Sequence, residues 1–496
     1  MDAAIAASLV MGVSEPGWSG IGGGGFALVY DGSKAYALDY REVAPMEARP
    51  ELYGGEDELG EGPKAVAVPG TLRGLKELHG RFGVLEWETL LRMAWERAGS
   101  WRATRLWSRC MRAGLHNALR KLAFSRESVE TWLRGGAPPR EGEPVPQRRL
   151  AETLRRVSEE GVEEFYEGAV AEAIAREISE LGGFLTLADL KRYEPVWREP
   201  VEAEFELGAM EVKAYAMPPP GSGAIVLEAL WILGRAVEEL GGVGPRDYMP
   251  LLAEVLRHAV EERLSRICDP SYGEAEIEEV LAEKHVEEVV ERIFERTRSH
   301  RGRGASSERG TSQITVAEAD GFWVSLTESL ECFMGSGITV EGVILNDEMH
   351  DFDLARGSPN LVEPGKRPAS SMSPIILLDH GGEPIAASGA SGGLRIITSM
   401  IQVLAEVLLL GREPAEAVAR GRIHPRGGEL LHEESLAPEV LPALRGAGFE
   451  PRPVRLLQLH PGTDIYFGAV QSIFRVEGEL LAVSDPRKQA AAQAAK

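Results

Sequence analysis

The chain has 496 residues, 44% of them apolar, which is ample for a large core and would ordinarily suggest two or more domains. Its formal net charge of -23 excludes the basic surface that a nucleic-acid partner needs, although one buried arginine suffices to capture a small anionic substrate. No apolar run reaches the roughly 20 residues of a membrane span, and no secretory signal is legible.

In chain order, Asp2-Ala-Ala-Ile-Ala-Ala-Ser-Leu-Val10 reads as a packed helix of small residues, and a start in mid-helix points to a missing upstream segment. A Gly-rich turn follows. Phe26–Tyr30 and Ala35–Asp39 then flank Asp31-Gly32, a hairpin signal. Residues 64 to about 190 are mostly helical in pattern, strand patterns return near Val201 to Ala216, and helices resume from about Ile225 to Arg296. Thr297 to Gly310 (TRSHRGRGASSERG) is a linker by composition, nearly free of large apolar residues. It ends at the clearest hairpin in the chain, Ser312 to Leu326, with Ile314, Val316, Phe322, Val324 and Leu326 at period two and Asp320-Gly321 at the turn.

Cys110, Cys268 and Cys332 are odd in number and widely spaced, which argues against a disulfide framework. There is no CxxC or HExxH pair, and His424 and His432 lie in a Pro/Gly-rich stretch, so no metal site is predicted. Gly20-Ile-Gly-Gly-Gly-Gly25 satisfies GxGxxG but follows a helix and opens a strand, the reverse of the order that dinucleotide binding needs.

The junction Gly310-Thr311 admits two readings. Thr311 is an ordinary strand residue, or the bond before it is cut. Cleavage would free an α-amine with a reference pKa of roughly 7.7–8.0 within reach of its own hydroxyl, which could then serve as the base for nucleophilic attack.

Motifs along the chain favour the second reading. Glu15-Pro-Gly-Trp-Ser-Gly-Ile-Gly-Gly-Gly-Gly-Phe26, Asp39-Tyr-Arg-Glu-Val-Ala-Pro45, Val68-Pro-Gly70, Met217-Pro-Pro-Pro220, Gly342-Val-Ile-Leu-Asn-Asp-Glu-Met-His-Asp-Phe352, Lys366-Arg-Pro-Ala-Ser-Ser-Met-Ser-Pro374, Gly389-Ala-Ser-Gly-Gly-Leu-Arg395 and Ser484-Asp-Pro-Arg487 occur in one order. Together they resemble the gamma-glutamyltransferase (gamma-glutamyl transpeptidase, or glutathione hydrolase) family over nearly the whole chain. The resemblance implies an α+β fold, the four-layer αββα sandwich of N-terminal-nucleophile hydrolases. It implies a proenzyme that splits into a heavy chain, 1–310, and a light chain, 311–496, which stay paired in one unit, with no cofactor. The substrate class it implies is a γ-glutamyl amide such as glutathione, with the acyl group passed to water or an amino acid.

By position, the resemblance makes Thr311 the nucleophile, Ser329 the hydroxyl that steadies it, and Gly392 and Gly393 the oxyanion hole. It places Arg41, Ser370 and Ser371 on the α-carboxylate of the glutamyl group, and Asp351, with Glu348 beside it, on the α-ammonium. Departures are Ser312-Gln313 after the nucleophile, Ser329 for a threonine, Glu331 for a substrate-binding asparagine, and Cys332 and Met334 nearby. The family's first strand and its signal or anchor segment are absent, so either the start is internal or this member is cytoplasmic. Glu331 opens a second expectation, an acylase acting on glutaryl or poly-γ-glutamate groups. The altered triplet and the truncated start open a third, an unprocessed non-catalytic homologue.

Overall fold

The computed structural model describes residues 1–145, 147–295 and 309–494. The linker from 297 lies outside these residues except for Arg309 and Gly310, which belong to a strand. The long strands are β1 (Gly24–Asp31), β2 (Ala35–Tyr40), β3 (Val196–Arg198), β4 (Val201–Leu207), β5 (Met210–Ala216), β6 (Arg309–Ala317) and β7 (Phe322–Cys332). After the short ribbon β8 (Thr339–Val340) and β9 (Val343–Ile344) come β10 (Ile375–Asp379) and β11 (Pro384–Ser391). A small side sheet holds β12 (Ile423–Arg426), β13 (Glu429–His432) and β14 (Glu450–Pro453), and β15 (Ala469–Val476) and β16 (Glu479–Val483) close the chain.

Two antiparallel sheets form, one ordered β3-β2-β1-β7-β6 and the other β16-β15-β11-β10-β5-β4. Each takes strands from both sides of the Gly310–Thr311 bond, so the two segments build one unit rather than two domains.

Side-chain alternation explains the layering. Along β1, Phe26, Leu28 and Tyr30 join the core shared with the second sheet and helices Gly223–Glu239, Pro245–Arg266 and Arg395–Leu404. Ala27 and Val29 join a separate core with helices Asp2–Ser14, Thr71–Phe82 and Trp87–Gly99. A strand buried on both faces must have a layer on each side. The order is therefore helix, sheet, sheet, helix, as the motifs imply. Both predicted hairpins are present, β1–β2 and β6–β7, and β4–β5 forms a third.

One boundary differs from the sequence reading. The strand begins at Arg309, two residues before Thr311, and the β6–β7 register slips between Gly310 and Thr311. A bulge there breaks the regular ladder at the bond of interest.

Candidate active site

Thr311 faces Ser329 across the β6–β7 ladder and is only 3% exposed. The Ser329 hydroxyl donates to the Gly310 carbonyl at 2.5 Å and accepts from the Glu331 N–H at 2.8 Å. A serine has one proton to give, so at 3.4 Å it is the Thr311 hydroxyl that points its proton at Ser329 Oγ.

The Gly-rich segment fits closely behind this pair. A Cβ on Gly23 would stand 2.0 Å from the Ser329 carbonyl oxygen, and one on Gly22 would stand 2.0 Å from that of Ile344. These glycines serve close backbone approach, not phosphate binding.

The unusual neighbours of Thr311 are accommodated. Ser312 accepts from Ser19 at 2.9 Å. Gln313 lies between the sheets, donating to Ser325 Oγ at 3.0 Å and accepting from Thr327 at 2.5 Å, where Gly389 leaves room for it.

Lys488, missed by the sequence reading, donates to the Thr311 carbonyl at 3.2 Å and lies 4.5 Å from the Trp18 ring centroid. Burial lowers its pKa to about 8, with Glu15 opposing. Glu15 is itself pushed up to about 7 by burial, with Lys488 opposing. Both side chains line one small pocket together with Trp18 and Cys110. Ser484-Asp-Pro-Arg487 anchors this lysine: Asp485 pairs with Arg422 at 2.6 Å and with Arg487 at 3.1 Å. That motif is structural here.

A second constellation forms around Arg41, just past the end of β2. Its backbone N–H donates to Asp39, and Arg367 donates to its carbonyl at 2.6 Å. The guanidinium is fully buried. It lies 2.6 Å from Glu348, 2.5 Å from Asp351 and 3.6 Å from Glu42, and donates to the Pro368 carbonyl at 3.3 Å. Glu348 and Asp351 reach it together because Glu348–Asp351 is a 3-10 turn, in which residues three apart eclipse. Asn346 holds that turn, accepting from the Glu348 and Ala67 N–H groups and donating to the Gly22 carbonyl.

Glu331 joins the same cluster, its carboxylate within 4.8 Å of those of Glu348 and Asp351. Burial alone would lower the pKa of Arg41, but Glu348, Asp351, Glu42 and Glu331 outweigh it and raise it. Burial pushes Glu348 well above the ordinary carboxylate range and Glu42 up to about 7, each only partly countered by Arg41. Among the described residues four carboxylates thus surround Arg41, a setting that suits a ligand bringing positive charge.

Ser370 and Ser371 follow Pro368 in the same loop. Ser370 Oγ accepts from the Met372 N–H, whereas Ser371 Oγ is buried with no hydrogen-bond partner among the described residues. Gly392 and Gly393 lie between β11 and helix Arg395–Leu404 at φ 130° and 60°, with the carbonyl of Gly392 accepting from Arg395 N and that of Gly393 from Ile396 N. The structure thus pairs Thr311 with Ser329, and gathers Arg41 with Glu331, Glu348 and Asp351. Glu42 was within reach of the sequence reading because it sits in the same motif as Arg41.

His424 and His432 are committed elsewhere, to Thr398 and to the Glu433 carbonyl. No helix among the described residues is long and apolar enough to cross a membrane.

Comparison with known proteins gives the family and the fold. The model for the family described as gamma-glutamyltranspeptidase matches residues 1–495. The glutathione hydrolase proenzyme of Pseudomonas aeruginosa is 31% identical over 522 residues, covering 98% of this chain and 89% of the relative. Scoloptoxin SSD14 of Scolopendra dehaani is 34% identical over 490 residues, covering 91% and 82%. Among solved structures, cephalosporin acylase from Bacillus halodurans superposes with a TM-score of 0.85 at 26% identity, covering 100% of this chain and 91% of that one. The fold is that of N-terminal-nucleophile hydrolases, and the chain is an enzyme of hydrolase or acyltransferase type. With a family model spanning it almost end to end, this chain belongs to the gamma-glutamyltranspeptidase family.

Proposed function

We propose that this enzyme cuts its own Gly310–Thr311 bond and then transfers γ-glutamyl groups from amides such as glutathione to water or an amino acid. The observation that carries the reading is the Ser329 hydroxyl, which holds the Gly310 carbonyl while Thr311 Oγ1 points at the same oxygen atom of Ser329.

In the self-cleavage step Thr311 Oγ1 attacks the Gly310 carbonyl carbon. Ser329 stabilises the charge that builds on the carbonyl oxygen. The C–N bond breaks, the Oγ1 proton passes to the Thr311 nitrogen, Gly310 becomes an ester on Oγ1, and that nitrogen becomes an amine. Water then hydrolyses the ester, leaving a Gly310 carboxylate and a free Thr311. In the mature enzyme that amine takes the Oγ1 proton during attack on the γ-amide carbonyl and gives it to the departing amine. Gly392 and Gly393 would supply the N–H groups for the oxyanion. The segments 1–310 and 311–496 would remain paired because both sheets interleave them.

Arg41 and Ser371 suit the α-carboxylate, with Arg41 exchanging one of its carboxylates for that of the substrate. The carboxylates so released, with Glu331, suit the α-ammonium. A glutaryl group brings no ammonium and would add a carboxylate to a site already rich in them. The acylase reading nonetheless has the asparagine-to-Glu331 departure in its favour.

The test is N-terminal sequencing of the smaller fragment, with Thr311→Ala as control, followed by assay with γ-glutamyl and glutaryl anilides. A fragment beginning at Thr311, lost in the variant, and faster release from the γ-glutamyl compound are expected. Faster glutaryl release would transfer the assignment to the acylase reading. A chain that stays intact and inactive would refute both.

A further inference from the structure

Two side chains that the acyl-transfer reading leaves unexplained, Cys332 and His350, meet Glu331 at the rim of the Arg41 pocket. Glu331 and Cys332 end β7, and His350 lies within the 3-10 turn, between Glu348 and Asp351. Neighbours on a strand ordinarily point to opposite faces. Glu331 has a φ of 73°, which breaks that alternation and lets the carboxylate and the thiol turn to the same side. His350 Nδ1 lies 3.3 Å from Cys332 Sγ and 3.8 Å from Glu331 Oε1, and one ligand atom from each residue falls within 4.8 Å of the others.

These spacings fit a common central ion. Around a tetrahedral zinc, with bonds of about 2.0–2.3 Å, ligand atoms stand roughly 3.3–3.7 Å apart. The donor set is soft and mixed, a sulfur, an imidazole nitrogen and a carboxylate oxygen, which suits zinc-like ions over magnesium or calcium. The His350 side chain is 27% exposed, giving an entry path and room for a water as fourth ligand. Glu348 and Asp351 stand close by, their carboxylates within 4.8 Å of that of Glu331.

We propose that Glu331, Cys332 and His350 form a binding site for a zinc-like divalent cation, and that its occupancy inhibits the enzyme by withdrawing Glu331 from the acyl donor. Binding releases the Cys332 proton to solvent, since the thiolate is the ligand. The inhibition rests on the function proposed above, whereas the binding does not.

Cobalt(II) is the probe, because thiolate ligation gives a near-ultraviolet charge-transfer band. Full-length protein is freed of metal with a chelator and titrated with Co²⁺. One equivalent with the band is expected, unchanged in Cys110→Ser and Cys268→Ser. Cys332→Ser should lose the band, and His350→Ala should bind at least tenfold more weakly. His350→Ala, at a partly exposed position, keeps the test decisive if the Cys332 variant fails to fold. A missing band, or one that survives in Cys332→Ser, would overturn the site. So would binding lost in His285→Ala, because Glu228, His258 and His285 form another possible ligand cluster. In the anilide assay Zn²⁺ should inhibit the parent protein reversibly and leave Cys332→Ser at least tenfold less sensitive. Cobalt binding without inhibition would retain the site and refute its control of the pocket.

Discussion

The Ser329 hydroxyl contacts both sides of the Gly310–Thr311 bond, 2.5 Å from the Gly310 carbonyl oxygen and 3.4 Å from the Thr311 hydroxyl oxygen. The Glu331 N–H fixes its rotamer from behind, so the proton has one direction to take. Removal of such an oxyanion donor typically slows a reaction by about 10²–10³-fold. Ser329→Ala should slow the appearance of the small fragment to that degree on a gel time course, while Ser329→Thr retains most of the rate. Equal rates in Ala and Thr variants would remove Ser329 from the step.

Arg41 pairs with both Glu348 and Asp351 in the interior. Breaking a buried pair by deleting one partner costs about 3–5 kcal/mol, because the other charge stays behind. Arg41→Met should therefore lower the unfolding temperature and raise KM for a γ-glutamyl donor. Adding Glu348→Gln should recover stability without recovering KM. Thermal unfolding and Michaelis curves on the single and double variants separate the two effects.

Lys488 carries a folded-state pKa of about 8, below the ordinary lysine value of 10.5, chiefly because burial disfavours its charge. Between those values the unfolded chain binds more protons than the folded one, so this residue makes stability rise with pH over that window. Lys488→Met should flatten the rise. On the proposed self-cleavage its charge, bound to the Thr311 carbonyl, would also disfavour the ammonium form of the new Thr311 amine. The acid limb of kcat/KM should accordingly move up by on the order of half a pH unit in the variant. An unmoved limb would mean that Lys488 holds only the backbone.

Glu328 shows the opposite sign. Burial raises it to about 7, with Ser8 and Tyr40 donating to its oxygens at 2.7 and 3.2 Å. The folded protein holds a proton there that the unfolded chain releases near 4.5, so stability falls as pH rises from about 4.5 to 7. Glu328→Gln should abolish that fall, seen as a smaller drop in unfolding temperature between pH 5 and pH 8.

What was legible in the sequence was local or carried by motif. The Asp31-Gly32 turn signal marked β1 and β2, period-two alternation marked β6 and β7, and the helical segments followed from their spacing, because such patterns are written in adjacent residues. The motifs also named the residues that gather at Arg41. They could not show that Arg41 is already paired with Glu348 and Asp351, some 300 positions away, or that Glu42 leaves the strand pleat to join them.

Thr311 was identifiable as the start of a buried strand after a polar linker, and the motifs on both sides, not its residue type, singled it out as the expected nucleophile. Only the tertiary structure decided that the strand begins two residues earlier and that its register slips at the Gly310–Thr311 bond. It also decided that Ser329 bridges the bond and that Lys488 arrives from the far end of the chain. The division has a physical cause. Secondary structure depends on near neighbours, whereas charge balance, proton direction and ligand grouping depend on which distant segments the two sheets press together.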